Sequence, residues 1–224
     1  MLHHNMQYEE SNWSPWKSAA ILILLAALFI LATEGWELGR QKQEVVPGVE
    51  QAKAKINALR DKAAREHPNE DPVTAMQSVA AEEATKRING LSGANKVASA
   101  ASSFLGFYLM NVKGREEYCS QFAVNLSRWL AAFQSANAAP YQKARAVYES
   151  RRYPIFKAED TLYTALHQEI MKFVEDDMNS VARTNGVSTK GACELLNSHA
   201  DEIANNIQFS KVLPVASKAL MEGA

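Results

Sequence analysis

The pattern of apolar and polar positions changes character once along the chain, near residue 34. From Ser18 to Thr33 the sequence SAAILILLAALFILAT carries no charge and no polar stripe. As a helix, at about 1.5 Å per residue, this run covers roughly 24 Å. Trp16 and Trp36 bracket it, and the distance between them as a helix is roughly 30 Å, the thickness of a bilayer's hydrocarbon core. The pattern predicts an uncleaved membrane anchor over 18–35. Trp16, Lys17 and Trp36 are its interface residues, because indole rings favour the headgroup level and a lysine can snorkel outward.

Two other readings compete. A buried core helix would also be apolar, but it seldom lacks any water-facing side. A cleaved secretory signal would need a basic leader, where Glu9 and Glu10 stand, and small residues before the cut, where Ile30 or Thr33 falls. Lys17 on one flank and Arg40 and Lys42 on the other leave the positive-inside count near a tie. The short amino tail, 1–17, favours a cytoplasmic start. That places 36–224 outside the cytoplasm, in the periplasm if the source is bacterial.

Beyond the anchor the apolar residues recur at three and four, the helical period. Val49, Ala52, Ile56, Leu59 and Ala63 form a narrow seam, read as a juxtamembrane stalk helix within 36–67. Such a seam suits packing on neighbouring helices or pairing with a second copy as a homo-oligomer. The stretch from His67 to Pro72 breaks it, with Asp71 as a helix cap and Pro72 in the next first turn. Further helices are predicted to Asn89, over 94–112, over 116–123, and over 127–152 with a bend at Pro140. Three more follow over 155–184, over 188–207 and from Pro214. Gly90, Gly114 and Gly186 are read as stops, and 104–112 is apolar on most sides and so central. No alternating β-branched run predicts a strand. The expected fold is all-α, a bundle of five to seven helices over 68–224 behind a single transmembrane helix.

Composition adds exclusions. The chain has 224 residues, 35 of them alanine, and a formal net charge of -1. Alanine is the best helix former, and the charge balance argues against nucleic acid as a partner. Two cysteines cannot make a four-thiolate zinc site. Outside the cytoplasm Cys119 and Cys193 are expected to form a disulfide; two buried free thiols are the alternative.

Catalytic motifs are missing. His167 and His199 lack the glutamate three residues earlier that a bundle di-iron site uses, since Thr164 and Leu196 stand there. HExxH, phosphate-binding glycine loops and the GxSxG elbow are absent as well. The expectation is a protein that is not an enzyme, with no cofactor, metal or catalytic residue assigned. Tyr141, Arg145, Tyr148 and Arg152 recur at four, three and four, which on one helix makes a stripe of the residue types that dominate binding hot spots. The plainer alternative has the tyrosines capping the core while the arginines reach water.

The functional expectation is a membrane-anchored helical interaction protein: an assembly factor, scaffold or accessory subunit of an envelope complex, with a protein partner at the bilayer. A neutralising or immunity-type binding protein is the second reading. A ligand sensor or enzyme with an interhelical pocket near Tyr108, His167 or His199 is the third.

Overall fold

The computed structural model describes residues 46–223, with side chains from 54 onward. The anchor and its residues Trp16, Lys17 and Trp36 lie outside the described residues. Among the described residues every regular element is helical, and no helix is long and apolar enough to cross a membrane.

Local signals place the first boundaries. Helix α1 spans Val46–Glu66 and α2 spans Pro72–Asn89. Asp71 caps α2: its Oδ1 accepts from the Val73 amide at 3.0 Å, and Pro72 occupies the first turn, where no N–H is needed. Ile56, Leu59 and Ala63 of α1 are buried, and α1 packs along α2. In this stretch the seam is therefore used inside the chain.

The next element departs from expectation. Gly93–Leu109 (α3), a π-helical turn at Met110–Gly114 and Arg115–Ser120 (α4) run on as one continuous helical rod. Gly114 does not stop it; its dihedrals are helical, φ -64° and ψ -48°. Its role is close approach. A Cβ there would meet Ile170 Cγ2 at 2.8 Å and Val174 Cγ2 at 3.1 Å. Phe104, Leu105, Phe107 and Leu109 are sealed from water, as the apolar pattern implied.

The remaining elements are α5 (Ser127–Ala136), α6 (Ala138–Ser150), α7 (Ile155–Ala165), α8 (His167–Asn185), α9 (Thr189–Ser198), α10 (Ala200–Asn206), α11 (Phe209–Val212) and α12 (Pro214–Glu222). Three predicted helices are thus each divided by a single-residue joint. Asn137, Leu166 and His199 have φ from -115° to -104° and ψ from 18° to 25°, the sparsely populated bridge region. The bend expected at Pro140 falls instead at Asn137. Pro140 lies in the first turn of α6, where its missing donor costs nothing. Asn137 holds its corner through two bonds, donating to Phe133 O at 3.1 Å and accepting from the Phe209 amide at 2.9 Å.

Helix α3 is the hub. It packs against α2, α6, α7 and α12, while α5 packs on α9 and α10 and α8 on α9. An aromatic chain fills the centre, with Phe209 edge-on to Phe104 at 5.1 Å, Phe107 against Phe133 at 5.2 Å and Phe133 against Trp129 at 5.3 Å. Such offset pairs add about 0.5–1.5 kcal/mol each beyond area burial. Cys119 of α4 and Cys193 of α9 are fully buried and disulfide-bonded, their Cα atoms 5.7 Å apart.

Candidate interaction surface

Three clusters of chemistry-bearing side chains stand out among the described residues, one buried, one half-exposed and one open. The first is buried. The π turn carries Asn111, whose side chain meets Arg115 and whose carbonyl meets Trp129. Arg115 donates to Asp177 Oδ2 at 2.5 Å, to Asn111 Oδ1 at 3.1 Å and to Met178 Sδ at 3.1 Å. Its guanidinium lies 5.9 Å from the centre of the Trp129 ring, whose Nε1 donates to Asn111 O at 2.8 Å. Burial pushes the Asp177 carboxyl up to about 6 against the pull of Arg115. With Arg115, Asp177 and Asn111 all buried, this network locks α8 to the central rod and offers no surface to a ligand.

The second cluster is half-exposed. Glu117 accepts from Tyr163 Oη at 2.6 Å and stands 2.7 Å from His167 Nε2. The Tyr163 bond holds Glu117 below its ordinary value, and His167 adds to it against the pull of burial. Lys113 lies 5.6 Å from the Tyr163 ring centre and donates to Asp160 at 2.7 Å. Every member has a partner, so the cluster reads as a clasp between α4, α7 and α8. Among the described residues no three His, Cys, Asp or Glu side chains converge as a metal site.

The third is the corner between α6 and α7. The structure divides the tyrosine–arginine stripe. Tyr148 is core, its Oη 3.3 Å from Ser102 Oγ, and burial pushes its phenol up to about 12. Tyr141 is half-buried, stacks on Tyr108 at 4.8 Å and donates to Glu159 at 3.0 Å. Arg145 is exposed and paired with Glu149 at 2.7 Å. Arg152 is not on the helix at all, because α6 ends at Ser150. The expected single face of four is therefore corrected: the helix stops two residues early, at Ser150, and buries Tyr148.

What ends α6 is a six-residue cap. The Tyr153 amide donates to Tyr148 O at 3.1 Å and the Arg152 amide to Glu149 O at 2.9 Å. This pattern wants a left-handed residue at its turn, normally glycine; here it is Arg152, with φ 58°. Ala123 holds the same position after α4, with φ 57°. Pro154 then starts α7, whose inner side is Ile155, Ala158 and Leu162. Phe156 points the other way and is 58% exposed, more open than Val187, the other exposed large apolar side chain among the described residues.

The charge at this corner is one-sided. From 150 to 158 the sequence reads SRRYPIFKA, three cations and no carboxylate. Arg151 donates to Ala94 O at 3.1 Å, which ties the corner to the start of α3. The acids flanking the segment are engaged elsewhere: Glu149 with Arg145, Glu159 with Tyr141 and Asp160 with Lys113. Phe156 and Lys157 were missed from sequence. The signal was present in the apolar phase, which Phe156 breaks, and in the acid-free run around it.

Surface grooves lie elsewhere among the described residues. One, of about 340 Å³, runs over Phe173 between Arg60, Lys172 and Arg183; another, of about 450 Å³, lies by Val97, Val215 and Lys218. Neither includes Tyr108, His167 or His199. No family model matches the chain, and no curated protein or solved structure matches it either.

Proposed function

We propose that this chain is a membrane-tethered interaction protein whose helical domain docks through the α6–α7 corner, in the manner of an assembly factor, scaffold or accessory subunit. The observation that carries this reading is Phe156, exposed among three cations that have no acid of their own. An isolated exposed phenylalanine is ordinary; one framed by uncompensated charge matches the composition of a docking site. The uncharged run 18–33 would confine the domain to a bilayer surface and raise its effective concentration there.

The buried Cys119–Cys193 bridge supports a domain facing an oxidising compartment. Blocking free thiols in denatured whole cells, then reducing and adding a maleimide-polymer, tests that part. Two added polymers per chain is the expected result; two thiols already blocked before reduction would reverse the topology. The docking part is tested by a photo-cross-linking residue at Phe156 in living cells, with one at exposed Glu194 as the control. A discrete protein or lipid adduct at 156 alone is expected, and equal yields at both positions would remove the corner's special role.

A further inference from the structure

We infer that the surface met by the α6–α7 corner is a layer of anionic lipid headgroups, with Phe156 inserting between them. This rests on the tethered reading above and names the partner of that same site.

Helix electrostatics explain part of the charge but not all of it. Arg151 and Arg152 follow the carboxyl end of α6, where a cation is favoured. Lys157 lies in the first turn of α7, where a cation is disfavoured. Neither Lys157 nor Arg152 meets a carboxylate among the described residues. Their placement is accounted for by an anionic surface outside the molecule.

The shape of the corner selects lipid over protein. Phe156 stands out from the first turn of α7 and is mostly exposed. A protein partner would have to supply the entire pocket. A headgroup layer supplies apolar depth and diffuse negative charge without one, and flexible arginine and lysine stems suit a surface that can rearrange. An apolar wedge beside basic residues is also the usual second signal that turns a single membrane attachment into a fixed orientation.

The test uses the full chain reconstituted in nanodiscs, one set of neutral phosphatidylcholine and one containing phosphatidylglycerol. Amide exchange over residues 150–158 is compared with the exposed turn at 186–188. The corner is expected to exchange more slowly on the anionic discs only, and the protection should disappear in high salt. In R152N/K157Q it should fall about five-fold per cation removed, the factor given by about 1 kcal/mol of headgroup attraction per basic residue. Asparagine tolerates the left-handed turn at 152, so the fold is retained.

Equal exchange on both disc types overturns the inference. So does protection that needs an acidic protein rather than the lipid. If the chain fails to enter even neutral discs, the tethered reading fails separately. Flotation of the same full chain with phosphatidylglycerol vesicles then tests the corner: wild type floating and R152N/K157Q remaining behind supports it, and equal flotation overturns it.

Discussion

Arg115 and Asp177 meet at 2.5 Å with both side chains shut off from solvent, one on the rod just past the π turn and the other in the middle of α8. The contact spans 62 residues of sequence and forms where Gly114 lets α8 lie against the rod. Both side chains are buried, so each charge depends on the other.

The first prediction concerns that dependence. Removing one partner leaves an uncompensated buried charge, which costs about 3–5 kcal/mol. Arg115→Met and Asp177→Leu are each expected to destabilise by that amount in urea unfolding. The double variant R115M/D177L should recover much of the loss, because apolar replacement of a whole buried pair is often neutral. A double variant as unstable as the sum of the singles would show that the bonds to Asn111 and Met178 dominate.

The second concerns Asp71. Partial burial draws its carboxyl up, but the bond from Arg183 and the amides of Val73 and Thr74 outweigh this and hold it below its ordinary value. A carboxylate whose folded value is depressed adds stability that is present above its unfolded value and lost as pH falls through the folded one. Asp71→Ala should therefore cost about 1–2 kcal/mol near neutral pH, the usual loss for a helix cap. The gap to wild type should close in acid. A gap that does not change with pH would assign the loss to packing alone.

A third follows from the left-handed turns. Arg152→Gly and Ala123→Gly should each raise stability by roughly 0.5–1 kcal/mol, since a side chain at positive φ strains where glycine does not. The expected sign is a higher urea midpoint with unchanged slope. Only R152G should also weaken docking at the corner, because only it removes a charge. Loss of docking in A123G would point to general loosening instead.

The fourth is the disulfide. The bridge closes a sequence separation of 74 residues, and the chain-entropy account assigns such a loop about 4 kcal/mol. C119S/C193S is expected to unfold at a distinctly lower urea concentration, by about 2–4 kcal/mol. An unchanged midpoint would mean that the buried contacts around α4 and α9 hold that region without the bond.

The sequence by itself determined the all-helical class and the central position of 104–112. It also determined the boundaries at Asp71, Gly186 and Ser188. Each of these is written locally. Apolar phase is a matter of residues three and four apart, and a cap is a side chain bonding an amide two or three positions away. Asp71 to Val73 and Ser188 to Gly191 are bonds of that kind.

Tertiary structure decided the joints, the glycine at 114 and the corner. Nothing in the local sequence marks Leu166 or His199 as a bend, since the apolar phase continues through both; the chain turns there because the core lies to one side. Gly114 resembles a stop, yet Ile170 and Val174, more than fifty residues away, need its missing Cβ. The stripe from Tyr141 to Arg152 fits one helix on spacing alone, but the cap after Ser150 ends that helix and sends Tyr148 into the core. Phe156 became a surface residue because Ile155, Ala158 and Leu162 took the inner side of α7. These outcomes depend on which distant residues come to share a boundary, and a period of 3.6 carries no record of that.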